Sequence, residues 1–306
     1  MMAVMTSTST PVPQKAVSRS VASRIIRRAT ATPGFKIGLI IFILLAVATA
    51  TYPELSGIDP TKMDVKARLF GPLFIGDKWS WIHPLGTDQI GRDMLVRSLV
   101  GLRYSFLIGV SSVAVTLLIG CALGTIAGYF GGRTDTVIMR LTDAQLSIPM
   151  IILAIAVLGV SRPTIPAIIL VLGVSSWPTY ARIMRSIVMT ERQREYVRAA
   201  KLSGSTDVRI ILSLLAPLLL PPVLFTSVLD IARMMIFESV LGFLGLGVQP
   251  PTPTFGNIIA DGRKYLLNAW WIATMPGIFL GLTLTSINLV GASLERARNN
   301  IHGGAE

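Results

Sequence analysis

One cluster of side chains that could perform chemistry lies between two apolar parts of the chain. It consists of His83, Asp88, Arg92 and Asp93. A metal site is one interpretation, but a single histidine beside hard carboxylates is a poor ligand set for a transition metal. Because Pro84 and the nearby glycines favour a turn here, we predict instead a polar knot that anchors this segment, and no metal site.

A second set of ionisable residues lies within an apolar run. Asp230 and Arg233 are spaced i,i+3, which places them on one helix face within pairing distance. An ionisable residue at membrane depth is costly unless it faces a cavity or a protein partner. Two interpretations remain open: the pair lines a translocation path and senses substrate charge, or it neutralises itself and fixes helix packing.

The residues that follow this pair are assigned to the same path or its outer gate. A glycine-rich run of this kind permits a tight re-entrant bend, although a simple flexible loop is the alternative. The residues assigned here are Glu238, Gly242, Gly245 and Gly247.

The motifs of several enzyme classes are absent from the sequence. It contains no G-x-x-x-x-G-K-[ST] phosphate loop, no H-E-x-x-H and no G-x-S-x-G. Cys121 is the only cysteine, so no disulfide or cysteine cluster can form within the chain. The sequence therefore predicts no catalytic residue and no cofactor in this chain, and any energy source must lie in another subunit.

The amino-acid composition indicates that most of the chain lies in an apolar environment. Of the 306 residues 52% are hydrophobic and 14% are charged, with a mean hydropathy of +0.64, which is unusual for a soluble domain. A spanning helix needs about 20 mainly apolar residues. We predict an all-α polytopic membrane protein with about six spans, at residues 35–51, 104–129, 136–160, 164–184, 214–244 and 270–292.

Charge predicts the orientation of these spans. No acidic residue precedes Glu54, whereas the N-terminal segment is basic, and residues 182–209 hold seven basic and three acidic residues. By the positive-inside rule both termini and the 182–209 loop are cytoplasmic. The net charge of +12 therefore reflects topology, and we predict no nucleic-acid partner.

Three glycines at four-residue spacing share one face of the second predicted span. They are Gly120, Gly124 and Gly128, and such a face allows close helix contact. The contacting helix belongs either to a partner subunit or to this same subunit.

The segment between Glu195 and Pro217 reads EYVRAAKLSGSTDVRIILSLLAP. It resembles the "EAA" loop of ATP-binding-cassette importer permeases, in which a cytoplasmic coupling helix docks on an ATPase subunit, although Arg198 replaces the usual glutamate. The resemblance implies that a helix face of small residues, followed by a turn at a glycine, contacts the ATPase subunit. The coupling residues so assigned are Glu195, Arg198, Ala199, Ala200, Lys201, Gly204 and Asp207.

Three further motifs occur in the order expected for the C-type permeases of the dipeptide, oligopeptide and nickel importers, the DppC/OppC-like branch. They are HPLGTD with GRD at residues 83–93, GYFGGRTD at 128–135, and ESVLGFLGLGVQPPTPTFGNIIADGRKYL at 238–266. The resemblance covers about residues 33–297. It implies a type I permease core in a bacterial inner membrane, with a second permease subunit (DppB/OppB-like), two ATPase subunits that bind ATP and Mg, and an extracytoplasmic solute-binding protein.

Peptides are the cargo expected from the resemblance, with nickel chelates, glutathione or another small solute as alternatives. An autonomous secondary carrier is disfavoured because no internal repeat is visible.

The organisation predicted from the spans and the resemblance has five parts. The parts are a cytoplasmic tail (1–33), a first span (34–52), an extracytoplasmic segment (53–103), a five-helix core (104–296) with its coupling segment (191–209), and a cytoplasmic tail (297–306). Within the first tail, residues 6–10 alternate Ser and Thr and are predicted to be disordered.

Overall fold

The computed structural model describes residues 14–75, 78–161 and 163–302, so the disorder predicted at 6–10 lies outside the described residues. The described chain is built from helices, with two isolated β-bridges in the segment before α3. The helices are α1 (Gln14–Ala31), α2 (Pro33–Ser56), α3 (Met94–Phe130), α4 (Gly132–Leu146), α5 (Met150–Leu158), α6 (Ile165–Glu191), α7 (Glu195–Leu202), the single turn α8 (Asp207–Arg209), α9 (Ala216–Phe243), α10 (Phe255–Gly262) and α11 (Trp271–His302).

Four of these helices, α2, α3, α6 and α11, are long and apolar enough to cross a membrane. Two bent pairs bring the number of spans to six if each pair counts as one, so the prediction of a helical membrane protein with about six spans is confirmed. One pair is α4 with α5, bent by 81°. Its bend falls at Pro149, which has an extended backbone and cannot continue the helix.

The second bent pair contains the fifth predicted span. A π-helical segment, Ile210–Leu215, leads into α9, where Pro217 lies in the first turn. Regular α-helical geometry begins at this turn, where a proline is tolerated because its missing N–H is not needed for an intrahelical bond. The pair is bent by 54° between Asp207–Pro221 and Val223–Phe243, so the span changes direction after Pro217.

The N-terminal segment contains a helix that the sequence analysis did not predict. Along α1, Ile25 and Ala29 are buried against Ala297 of α11. Thr32 then caps α2 by accepting a hydrogen bond from the Phe35 amide, and Pro33 occupies the first helical position. Because α1 shows no long apolar run, hydropathy alone could not distinguish it from a polar tail.

The glycine face of α3 packs against α6 within this same chain. A Cβ on Gly120 would lie 2.7 Å from the carbonyl oxygen of Trp177, and one on Gly128 would lie 2.8 Å from that of Arg185. Gly124 approaches the carbonyl oxygen of Ala181 even more closely. Of the two contacts considered for this face, the structure therefore shows the one within the subunit.

Candidate functional site

The polar knot predicted at residues 83–93 forms at the start of α3. His83 Nδ1 lies 2.8 Å from Asp93 Oδ2, and Arg92 Nε donates to Asp88 Oδ2 at 2.6 Å. Asp93 also caps α3, accepting a hydrogen bond from the Val96 amide at 2.7 Å. This cap explains why the helix begins at Met94, before the predicted start of the second span.

Two partners in this knot were missed by the sequence analysis. Asp261 of α10 lies 3.4 Å from Arg92 Nη2 and 4.0 Å from Arg97 Nη2. The Trp271 indole donates to the Thr87 carbonyl at 3.0 Å, which ties the segment to α11 as well. No sequence pattern links residues so far apart. Within the ranges that the structure describes, no group of three or more His, Cys, Asp or Glu side chains could hold a metal ion.

Asp230 and Arg233 form the predicted ion pair on α9. Arg233 Nη2 lies 2.8 Å from Asp230 Oδ1, and the Tyr180 hydroxyl of α6 donates to the other carboxylate oxygen. Asp230 is largely covered, with 15% of its side chain exposed, whereas Arg233 is 44% exposed. Asp230 therefore contributes to the α6–α9 contact, while Arg233 presents its charge at the surface of the chain.

This arrangement gives a test of the path interpretation. In the double variant Asp230→Asn with Arg233→Gln, an amide oxygen can still accept the Tyr180 hydrogen bond while both charges are lost. If the chain is the importer permease that its motifs resemble, the assembled complex and its basal ATP hydrolysis should persist. The ratio of acidic to basic solute uptake should change by about two- to fivefold, because a partly exposed charge contributes about 0.5–1 kcal/mol.

The matched control for that experiment is Tyr180→Phe, which removes the hydrogen bond but keeps both charges. It should lower the thermal stability of the complex without altering charge preference, because a buried hydrogen bond contributes about 1 kcal/mol. An unchanged preference in the double variant would favour the packing interpretation.

Glu238, assigned to the path or gate, lies at a helix junction in this structure. Its side chain is fully buried, and Ser105 of α3 donates to its Oε2 at 2.7 Å. The same Ser105 oxygen accepts from the Phe255 amide, the first residue of α10, at 3.4 Å. Glu238 thus connects α9 through α3 to the start of α10 and does not line an exposed surface here.

The glycines after Glu238 produce the predicted bend. Gly245 has φ +81° and follows α9; its amide donates to the Gly242 carbonyl at 3.0 Å, and the Leu246 amide to the Leu241 carbonyl at 2.9 Å. These two bonds form a Schellman termination. A Cβ on Gly242 would lie 2.8 Å from Gly256 Cα, so glycine also permits α9 and α10 to cross closely; Gly247 packs against Gly242.

The segment that resembles a coupling helix forms α7, and one side of it packs on its own chain. Val197 is buried in a cluster with Tyr129 and Ile210, against which Tyr196 and Ala200 are partly buried. The Tyr196 hydroxyl donates to Glu191 at 2.9 Å. Partial burial and that bond raise the pKa of Tyr196 to about 12, so the phenol remains a donor at neutral pH.

The opposite side of α7 is exposed. Glu195, Arg198, Ala199 and Leu202 follow the i, i+3, i+4, i+7 pattern of one helix face, and all four are exposed. Leu202 is 90% exposed. Leu202 was not among the residues assigned to coupling, although its helical spacing from Glu195 was visible. Ala200, which was assigned to coupling, is partly covered by its own chain.

Gly204 and Asp207 shape the turn after α7. Gly204 has φ +77°, and a Schellman pair of bonds joins its amide to the Lys201 carbonyl and the Ser205 amide to the Ala200 carbonyl. The Tyr129 hydroxyl donates to Asp207, and Lys201 lies 3.8 Å from the same carboxylate. These residues hold the orientation of α7 relative to α3.

Four spanning helices with two bent pairs, which make up to six membrane crossings, occur together with an ionisable pair within a span and a short helix that exposes one face. These are the features of a multi-pass membrane transport component. The family described as binding-protein-dependent transport system inner membrane component matches residues 120–299. The chain belongs to this family, and it is a permease subunit of the ATP-binding-cassette importers, of the DppC/OppC-like branch that its motifs resemble.

Relatives with assigned names are similar in sequence to this chain over most of its length. It is 36% identical to the di/tripeptide transport system permease protein DppC of Pseudomonas aeruginosa, over 85% of this chain and 86% of that protein. It is 34% identical to the dipeptide permease DppC of Haemophilus influenzae, over 86% and 89%. It is also 36% identical to the nickel transport system permease protein NikC of Escherichia coli, over 85% and 91%.

A solved structure shares the fold. A chain of the MetNI methionine ABC transporter, in inward-facing conformations, superposes with a TM-score of 0.52 at 19% identity, covering 67% of this chain and 96% of that chain. At this identity the likeness concerns the fold alone. It agrees with the type I permease core predicted from the motifs.

Proposed function

We propose that this chain is the C-type permease subunit of an importer for di- or oligopeptides. It would form the translocation path with a second permease subunit and receive substrate from an extracytoplasmic binding protein. Two ATPase subunits would bind ATP and Mg and dock on α7. The observation that carries this proposal is the exposed face of α7, on which the apolar side chain of Leu202 is 90% exposed.

Peptides are the proposed cargo because named peptide permeases match nearly the whole chain. The charge that Arg233 presents beside Asp230 suits a solute with ionised termini. Nickel chelates remain the second candidate, since a nickel permease is as similar in identity. Glutathione and other small solutes are further alternatives.

The proposal is tested by reconstituting the chain with its cognate permease, ATPases and binding protein in liposomes. We expect dipeptides to stimulate ATP hydrolysis and to accumulate inside only when ATP is present. Stimulation by a nickel chelate and not by dipeptides would replace the peptide assignment. Substrate flux by this chain alone would contradict the subunit assignment.

We also propose that both termini and α7 lie in the cytoplasm, with residues 53–103 and 245–267 outside. The charge pattern supports this orientation. Lys78 and Gln193 are both exposed and belong to opposite predicted sides. In a Cys121→Ser background, a membrane-impermeant thiol reagent added outside intact cells should label cysteine at Lys78 and not at Gln193.

Permeabilised cells provide the control for this labelling, because both positions should then react. Labelling of Gln193→Cys alone in intact cells would reverse the orientation. Equal labelling of both positions in intact cells would also contradict the proposed topology.

A further inference from the structure

An apolar groove of about 400 Å³ lies between α2 and α3, within the size range of small-molecule sites. Phe42, Leu45 and Ala46 of α2 line one wall, and Leu102 and Phe106 of α3 the other. A second pocket, more polar, begins beyond the end of this groove, and Arg103 lines both.

The position of Arg103 follows from a proline in α2. Pro53 lacks the N–H that would bond the Thr49 carbonyl, and Arg103 Nε donates to that carbonyl at 2.8 Å. Its Nη2 donates to the Ala50 carbonyl at 3.3 Å, and its Nη1 lies 3.2 Å from Glu54. A guanidinium carries five N–H donors, and two have no partner among the residues described, while the side chain is 37% exposed.

The groove also contains an unsatisfied polar group. Thr49 lines it, is 8% exposed, and its hydroxyl has no hydrogen-bond partner within the described part of the chain. A buried hydroxyl without a partner costs free energy. A ligand that passes this point is expected to offer an acceptor.

Two carboxylates, Glu54 and Asp59, line the polar pocket beyond Arg103. Hydrogen bonds from Thr61 hold the pKa of Asp59 below its usual range, so this carboxylate is ionised at neutral pH. From the groove to the polar pocket, the lining side chains therefore change from apolar groups to a hydroxyl, then to the guanidinium of Arg103, and then to two carboxylates. From Phe42 to Glu54 this sequence extends about 18 Å at 1.5 Å per residue.

We propose that the α2–α3 groove binds one glycerophospholipid with an amine-bearing headgroup. An acyl chain fills the apolar groove, and an ester carbonyl accepts from the Thr49 hydroxyl. The phosphate pairs with the free donors of Arg103, and the ammonium group lies near Glu54 and Asp59. The bound lipid belongs to the leaflet nearest residues 53–103.

Native mass spectrometry on the assembled, delipidated importer tests this site, with dioleoyl phosphatidylethanolamine and dioleoyl phosphatidylglycerol as probes. We expect one phosphatidylethanolamine to bind roughly three- to fivefold more tightly than phosphatidylglycerol. Glu54→Gln removes the carboxylate that selects the ammonium and leaves Arg103 unopposed, so the preference should vanish or reverse.

A matched pair on α2 tests the groove itself. Ala46→Trp fills it and should weaken binding of both lipids about tenfold or more, whereas Leu44→Trp, at a position that is 64% exposed and does not line the groove, should have no effect. If the Ala46→Trp complex does not assemble, the Glu54→Gln variant still tests the proposal. Its replacement should not disturb folding, because the Glu54 side chain is 73% exposed.

Three results would overturn the proposal. One is an identical lipid preference in the native complex and Glu54→Gln. Another is equal lipid binding by the two tryptophan variants. The third is uniformly weak binding by all complexes, which would mean that another occupant, such as a helix of the partner permease, fills the groove.

Discussion

Replacing Gly124 with valine is expected to separate α3 from α6 and to deplete the folded chain from the membrane. A Cβ at this position would lie 2.8 Å from Met184 Cβ and would overlap the Ala181 carbonyl oxygen, which belongs to the helix backbone and cannot rotate away. Overpacking of this kind costs about 1–3 kcal/mol and occasionally more. The measurement is the amount of monodisperse chain after mild detergent extraction, together with its thermal midpoint.

Gly281 provides the matched control for this experiment. It is also a glycine within a spanning helix, α11, but a Cβ there would meet nothing within 4 Å. Gly281→Val should leave the extracted amount of the chain near the native level. Equal behaviour of the two variants would show that the α3–α6 contact does not depend on glycine.

Local spacing allowed the polar knot and the Asp230–Arg233 pair to be predicted. In both cases the interacting residues lie within about ten positions of each other, so turn and helix geometry alone bring them together. The Asp261 contacts with Arg92 and Arg97 could not be foreseen, because they depend on how α10 packs beside the start of α3.

Hydropathy predicted the spans but not their shapes. A window of apolar residues is similar whether the helix is straight or bent. The sequence therefore indicates an interruption at Pro149 but not the 81° angle between α4 and α5. The burial of Glu238 was missed for a related reason. An isolated carboxylate in an apolar run suggests a path, whereas Ser105 and the start of α10 enclose it.

The α7 helix shows how the structure changes the choice of test residues. The sequence assigned docking to a small-residue face that included Ala200, but Ala200 packs against the chain's own cluster around Val197 and Ile210. A bulky residue at Ala200 would therefore disturb this subunit itself. Ala199 and Leu202 lie on the uncovered face, so their replacement can affect docking without that disturbance.

Leu202→Asp is therefore expected to uncouple the importer. If α7 inserts into a groove of the ATPase, Leu202 becomes buried there, and loss of such a central apolar contact costs about 2 kcal/mol or more. That cost corresponds to roughly thirtyfold weaker docking. We expect substrate-stimulated ATP hydrolysis and transport to fall by about tenfold or more, with the chain still inserted in the membrane.

Leu202→Met separates docking from any effect on folding. Methionine keeps the apolar volume, so the variant should retain most stimulated hydrolysis, whereas Ala199→Trp, on the same exposed face, should lose it. Both variants should extract and unfold like the native chain, because both positions are exposed. Full stimulated hydrolysis in Leu202→Asp and Ala199→Trp would show that the ATPase contacts a different surface, and α7 would then serve only to close the turn between α6 and α9.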